Sequence, residues 1–326
     1  MLLYENTLWL LLAAIALDAV VGDPAWLWRR FPHPVVLFGK VISALDRQLN
    51  RPEFGPGKRR MAGVLTLIVL VSGSLASGAV LQAAANRLPF GEILTIVIAA
   101  VFIAQNSLYT HVAAVRDGLT ESGLEGGRQA VAMIVGRDPK QLDEAGVSRA
   151  AIESCAENFS DGVVAPVFWF AVLGLPGLIA YKAINTADSM IGHKNEKHAD
   201  FGWASARFDD LVNLPASRLA ALFVALAAPR ANGSPLLAFT TVRKDAGQHR
   251  SPNAGWPEAA MAGALGLALA GPRVYPGYTV NDPYMNGTGR KAANAADISR
   301  SLKVLAGACV VEALLVLTGA LIASFF

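Results

Sequence analysis

The most chemically loaded tract of this sequence reads Glu153-Ser-Cys-Ala-Glu157-Asn158-Phe-Ser-Asp161-Gly162. Glu153, Glu157 and Asp161 stand at i, i+4 and i+8, so on a helix they share one face. Like charges at that spacing repel by a few tenths of a kcal/mol per pair, roughly 0.2–0.5. A Mg²⁺ ion between them removes the repulsion and takes the hard oxygen ligands it prefers. The same spacing also suits a solvated acidic face. The apolar run that begins directly after Gly162 speaks for the metal.

The next polar tract, Tyr181-Lys182-Ala-Ile-Asn185-Thr186-Ala-Asp188-Ser189-Met-Ile-Gly192-His193, puts Lys182, Asn185 and Ser189 along one helical stripe. A lysine point charge suits phosphate, and asparagine or aspartate suits Mg²⁺ or a substrate amide. The bland account is a snorkelling lysine beside a helix cap. Phe201-Gly-Trp203-Ala-Ser-Ala-Arg207-Phe-Asp209-Asp210 adds an indole, a fixed cation and a carboxylate pair. There Arg207 suits a transferring phosphoryl group, and Asp209 or Asp210 suits a metal or an amine. Mutual salt bridging at a helix end fits the spacing equally well.

A fourth cluster, His249-Arg250-Ser-Pro-Asn253-Ala-Gly-Trp256-Pro-Glu258, gathers imidazole, guanidinium, amide, indole and carboxylate just before the small-residue tract Ala259 to Ala270. That density suits close packing on a large ligand, or turn chemistry in a charge-poor loop. Near the start, Pro32 and Pro34 flank His33 and fix its backbone, after Asp18, Gly22, Asp23 and Pro24. A tight turn with a satisfied histidine is the plain alternative. No P-loop, GxGxxG, HExxH or CxxC occurs, so any ATP site lies outside the common nucleotide folds.

The elements that carry these residues must be largely membrane-embedded. Of 326 residues 53% are hydrophobic and 16% charged, with a mean hydropathy of +0.41, too apolar and charge-poor for an ordinary soluble domain. A hydrocarbon core of about 30 Å asks for about 20 apolar residues as helix. Met61 to Gln82, Ile93 to Tyr109 and Leu302 to Phe326 supply them. Leu8 to Val21, Val163 to Tyr181 and Leu211 to Ala228 are shorter or interrupted, the second by Pro166, Gly174, Pro176 and Gly177. The expected fold is all-α, a polytopic helical membrane protein of about four to six membrane-embedded helices with cytosolic helical loops. One membrane-embedded domain spans 1–326, with no linker, internal repeat or low-complexity tract.

Arg29, Arg30, Lys40, Arg47, Arg51, Lys58, Arg59 and Arg60 crowd the segment before the second apolar run, whereas Leu81 to Glu92 holds only Arg87. That bias makes the first loop cytoplasmic and returns Thr110 to Gly162, with Arg116, Arg128, Arg137, Lys140 and Arg149, to the same side. To keep Lys182 to Asp210 there too, Val163 to Tyr181 is expected to be a broken or re-entrant helix. Thr110 to Gly136 reads as an amphipathic helical hairpin broken at Gly126 and Gly127, and Ser148 as the cap of the following helix. A formal charge of +3 with dispersed basic residues gives no nucleic-acid footprint. Cys155 and Cys309 alone make neither a disulfide framework nor a thiolate metal site. Leu8 to Val21 lacks a preceding positive charge and a small-residue cleavage site, and is expected to be retained.

Taken together, GDPxxL, PHPVVLFG, VGRDP at Val135 to Pro139, ESCAENFSDGVVAPVFW, YKAINTADSMIGH, FGWASARFDDLVNLPASRL, HRSPNAGWPEAAMAGALG and ADISR follow one another from Asp18 to about Arg300. This ordered set resembles the CobD/CbiB family of adenosylcobinamide-phosphate synthases. The resemblance implies a carbon–nitrogen ligase of cobalamin biosynthesis at the cell's inner membrane, with its active face cytoplasmic. It would use ATP and Mg²⁺ to join the propionate carboxyl of adenosylcobyric acid to (R)-1-amino-2-propanol or its O-phosphate. A carboxylate is a poor electrophile, and phosphorylation would give an acyl phosphate that the amine attacks. The implied roles are metal binding for Glu153, Glu157, Asp161 and Asp188, and phosphate contact for Lys182 and Arg207. Metal or amine falls to Asp209, and corrin amides or amine activation to His249, Arg250, Asn253 and Glu258. His33, Asn185, Trp203 and Trp256 complete the substrate contacts. Partners would be the bilayer, a second copy of the chain, or other corrinoid-pathway enzymes.

Two other classes fit less of the sequence. A prenyl or CDP-alcohol transferase needs matching aspartate motifs that Asp188 and Asp209-Asp210 do not form. A transporter or scaffold for pathway enzymes accounts for the spans but gives the polar loops no work.

Overall fold

Apolar runs that cannot stay in water become helices in the computed structural model, which describes residues 6–135, 139–275, 278–280 and 282–325. In chain order these are α1 (Thr7–Val21), α2 (Ala25–Arg30), α3 (Pro34–Leu49), α4 (Pro56–Ala85), α5 (Gly91–Phe102), α6 (Gln105–Val131), α7 (Glu144–Phe159), α8 (Ala165–Ile191), α9 (Trp203–Val212), α10 (Leu214–Ala227), α11 (Pro235–Asp245), α12 (Gly255–Leu265) and α13 (Ala295–Ala323). The described strands are short: β1 (Leu269–Ala270) pairs antiparallel with β4 (Tyr284–Met285), and β2 (Arg273–Tyr275) with β3 (Tyr278–Val280).

Among the described residues five segments are long and apolar enough to cross a membrane: Pro56–Ala85, Gly91–Val131, Glu144–Ile191, Leu214–Ala231 and Ala295–Ala323. Thr7–Val21 is a shorter apolar helix. The all-α polytopic expectation therefore holds. Only 22% of the most apolar window of Pro56–Ala85 is buried within the chain. The remainder is apolar surface suited to lipid.

Contacts divide the chain into two compact units, one made of Met1–Ile103, Ala165–Asn213 and Gly319–Phe326, the other of Ala104–Val164 and Leu214–Thr318. In the first, α4 packs along α8. A Cβ on Gly78 would lie 2.5 Å from Pro176 Cα, and one on Gly63 only 1.9 Å from the Phe201 carbonyl oxygen. Close backbone approach of this kind is how helices associate where burial from water gives no drive. Ile42, Leu70, Ala187, Ile191 and Phe201 form the apolar core beneath the polar loops of this unit. Helix α8 is interrupted at Gly174, at φ 66° and ψ −151°, which agrees with the expected broken helix. In the second unit α10, α11 and α12 pack together, with Ala225, Ala228, Ala238 and Ala264 as a small-residue core, and α6 packs on α7.

Local expectations are corrected at several points. The amphipathic hairpin exists, but its break is at Gly123, at φ 65°, whereas Gly126 meets Gly118 across the fold-back. Helix α7 is capped by Asp143, whose Oδ1 accepts the Gly146 N–H at 2.7 Å, and Ser148 lies buried inside the helix. The run Ile93 to Tyr109 is divided at Ile103 and Ala104 between α5 and α6. The small-residue helix stops at Leu265, where Gly266 takes the left-handed conformation, so that Leu269 and Ala270 form a strand. Of the VGRDP tract, Gly136, Arg137 and Asp138 lie outside the described residues.

Candidate active site

In the first unit the last turns of α8 and the length of α9 bring one group together. Asp209 is buried, and its Oδ2 accepts from Asn213 Nδ2 at 3.0 Å, while Asn185 Nδ2 points at Oδ1 from 3.4 Å. Tyr181, also buried, donates its hydroxyl to Asn213 Oδ1 at 2.9 Å, so a chain of hydrogen bonds runs from Tyr181 through Asn213 to Asp209. Burial pushes the Asp209 carboxyl up to about 7, and the negative charges of Asp188 and Asp210 push the same way against the two amides. Asp210 is raised by burial, against the opposing charges of Arg207 and Lys194. Arg207 itself lies exposed with Nη1 3.8 Å from Asp210 Oδ2. Trp203, at the start of α9, is exposed too.

Lys182 sits half-buried on α8, one turn before Asn185. The His33 pKa is lowered by burial and further by the Lys182 charge, while Asp23 opposes. His33 caps α3, its Nδ1 accepting the Val35 N–H at 3.2 Å, with Nε2 3.9 Å from Asp23 Oδ1. Its ring also meets Trp28 edge-on at 4.5 Å.

The second unit holds the other clusters. His249 Nε2 stands 3.9 Å from Glu258 Oε1, with Glu258 buried in the first turn of α12. Asn253 Oδ1 accepts from Ser217 Oγ at 3.1 Å and from Arg218 Nη1 at 2.9 Å, and the Arg218 guanidinium lies 4.4 Å from the centre of the Trp256 ring. Arg250 pairs with Asp282 at 2.8 Å. Residues 249–258 thus enter three pairings: His249 with Glu258, Asn253 and Trp256 with Arg218, and Arg250 with Asp282.

The Glu153–Glu157–Asp161 stripe runs from buried to open along its length. Helix α7 ends at Phe159, and Asp161 lies in a π-turn from Ser160 to Val164. Glu153 is buried, with Oε1 accepting the Ala270 N–H at 2.9 Å, whereas Glu157 is exposed. Asn158 and Gly162 instead line a cavity of ≈ 370 Å³ with Ser107, His111 and Met133.

Among the described residues no three His, Cys, Asp or Glu side chains converge to hold a metal. Mg²⁺ does not need that: it keeps several waters and is held by one or two carboxylates together with substrate phosphates. The donor set of Asp188, Asp209, Asp210 and Asn185 fits such an ion in kind, with hard oxygens and like charges gathered where burial penalises them.

Comparison with known proteins decides what these clusters belong to. The family described as CobD/Cbib protein matches residues 11–305. A cobalamin biosynthesis protein CobD of Sinorhizobium sp is 55% identical over 321 residues, 98% of this chain and 99% of the relative. The chain belongs to the CobD/CbiB family. The cobalamin biosynthesis protein CobD of Rhizobium meliloti is 55% identical over 303 residues, covering 92% and 93% of the two chains. That of Rhodobacter capsulatus is 48% identical over 294 residues, covering 90% and 91%. No solved structure matches.

Within this CobD/CbiB chain the structure adds three side chains to those read from the sequence. Arg218 was legible, being an arginine inside an apolar helix, where a charge is expensive unless it is used. Tyr181 and Asn213 gave no such signal, because nothing in a spacing of 32 residues says that they meet.

Proposed function

We propose that this chain, in the inner membrane with its polar loops toward the cytoplasm, uses ATP and Mg²⁺ to join the propionate carboxyl of adenosylcobyric acid to (R)-1-amino-2-propanol or its O-phosphate. The amide-bond-forming role in cobalamin biosynthesis follows from family membership. The observation that carries the ATP and Mg²⁺ part is the Asp209 site, where burial and the Asp188 charge together make an ionised pair costly until a cation arrives. The basic residues crowded before α4, against Arg87 alone after it, support the orientation.

Bound Mg²⁺ would supply positive charge to the phosphate oxygens. In the first unit, Asp188 and Asp209 would hold it, with Asn185 orienting Asp209. Lys182 and Arg207 would steady the phosphates. In the second unit, His249 would take the proton that the attacking amine must lose, with Glu258 keeping the imidazole in place. Arg250, Asn253 and Trp256 would hold the amide-rich rim of the corrin; His33 and Trp203, in the first unit, would be substrate contacts. Because Glu153 already accepts a backbone N–H, Asp188 and Asp209 are the stronger metal pair, with Glu157 and Asp161 kept for a further cation.

Detergent-purified protein is to be given Mg²⁺, ATP, adenosylcobyric acid and either amine, with product followed by mass and phosphate released. One amide formed per ATP consumed is the expected result, and the amine accepted identifies the substrate. ATP-independent product would overturn the role of ATP, and undiminished turnover in EDTA the role of Mg²⁺.

A further inference from the structure

We infer that Asp46 is a positioning residue, which with Asn50 and Arg59 clamps the loop from Gly192 to Gly202 and so sets Asp188 and Asp209 opposite each other. This rests on the reading of that aspartate pair as the Mg²⁺ holders. The loop is the only covalent link between the helices that carry the two acids: Asp188 lies in the last turn of α8, and Asp209 near the end of α9. The two helices touch through Tyr181–Asn213 and Asn185–Asp209, and the loop's shape adds a second constraint on how close the carboxylates come, against the repulsion of two like charges.

Three successive points of the loop are tied down. The first is Lys197, whose Nζ lies 2.5 Å from Asp46 Oδ2. Its backbone carbonyl accepts from Asn50 Nδ2 at 3.1 Å and from the Arg59 guanidinium, while Asn50 Nδ2 also donates to Asp46 Oδ1 at 2.9 Å. His198 adds Nε2 at 3.3 Å from Asp46 Oδ1. The second is Asp200, paired with Arg60 at 3.0 Å. The third is Phe201, set in the core with its carbonyl over Gly63, where no side chain could fit.

The arrangement differs from an ordinary surface salt bridge. Lys197 is 62% exposed, and its ammonium contributes little by itself. Asp46 is 7% exposed, and its work is to hold the Asn50 amide against a backbone carbonyl of the loop. A side chain that fixes backbone geometry outside the ligand set acts as outer-shell partners of metal sites do, and losing one costs roughly tenfold or more in metal affinity.

The test uses full-length protein in lipid nanodiscs, with Mn²⁺ as a spectroscopic probe of the site, trypsin cleavage after Lys194 and Lys197 as a probe of the loop, and Mg²⁺ titration of turnover. Asp46→Ala is expected to expose the loop to trypsin and to raise the Mn²⁺ and Mg²⁺ half-saturation concentrations about tenfold, with turnover recovering at saturating Mg²⁺. Arg60→Gln, a change at a side chain 57% exposed, should move the same readouts the same way by a smaller factor. A merely structural role would lower the folded fraction and leave metal affinity per folded molecule unchanged. If both variants keep wild-type metal affinity while Asp188→Asn and Asp209→Asn lose it, the clamp is refuted. If the two aspartate variants themselves bind Mn²⁺ as wild type does, the metal reading falls and takes this inference with it.

Discussion

Replacing Arg218 separates its charge from its shape. Its Nη1 donates to Asn253 Oδ1 and to Ser217 Oγ, each at 2.9 Å, and its plane lies over Trp256. Hydrogen bonds to a charged group contribute about 1.5–3 kcal/mol each, and a guanidinium over an indole about 0.5–2 kcal/mol. Those values do not sum here. Ser217 Oγ still donates to Asn253 Oδ1 at 3.1 Å when Arg218 is gone, so truncation strands no buried acceptor. Arg218 is also half-exposed, and water replaces part of what is lost. Arg218→Ala should therefore cost about 2 kcal/mol. Arg218→Lys should recover less than half of it, because an ammonium lacks the flat guanidinium face that lies over Trp256 and is more strongly hydrated. Asn253→Leu should cost more, about 3 kcal/mol, since it takes the acceptor from both donors at once. Denaturation in mixed micelles followed by tryptophan fluorescence measures all three. A lysine variant as stable as wild type, or an alanine variant less stable than Asn253→Leu, would refute the reasoning.

Two further outcomes follow from the first unit. Because the folded Asp209 pKa is raised from 3.8 to about 7, the protein without metal should lose stability as the pH rises between those values, and the loss should be complete above them. Asp209→Asn should flatten that slope, and Mg²⁺ should raise the melting temperature of wild type at about pH 8 but not that of the variant; thermal unfolding in EDTA and in Mg²⁺ checks both. Gly78→Ala, whose new Cβ would meet Pro176, should destabilise by about 1–3 kcal/mol. Gly73→Ala, on the same helix with nothing within 4 Å, should be neutral or slightly stabilising in the same detergent assay.

Patterns that depend on neighbouring residues were legible in the sequence. The apolar runs gave the helices, and Gly174 with Pro176 announced the break in α8 because both residues disfavour a continuous helix. The choice among equivalent residues was not legible. Three glycines stand at the turn of α6, and which of them turns left-handed depends on Gly126 being spent on contact with Gly118. Ser148 and Asp143 can both cap a helix, and the nearby Gly146 N–H settles it for Asp143. In the site, His249 and Glu258 meet because they are only nine positions apart. Asp46 and Lys197 are 151 positions apart and carry no periodic signal. In the acidic stripe from Glu153 to Asp161, spacing carries no sign that Glu153 is buried on the Ala270 N–H, 117 positions away, while Glu157 is exposed.

Helix α4 works as a keyed shaft. Its two tightest seats, Gly63 under Phe201 and Gly78 against Pro176, lie 15 residues apart on nearly the same side, about four turns of helix. Inserting a single residue between them would turn one seat about 100° away from its partner and lengthen the interval by about 1.5 Å. Length variation in related chains should therefore collect in the connections on either side of α4, at 50–55 and 86–90, while the interval from 63 to 78 stays constant in length even where its lipid-facing residues change freely.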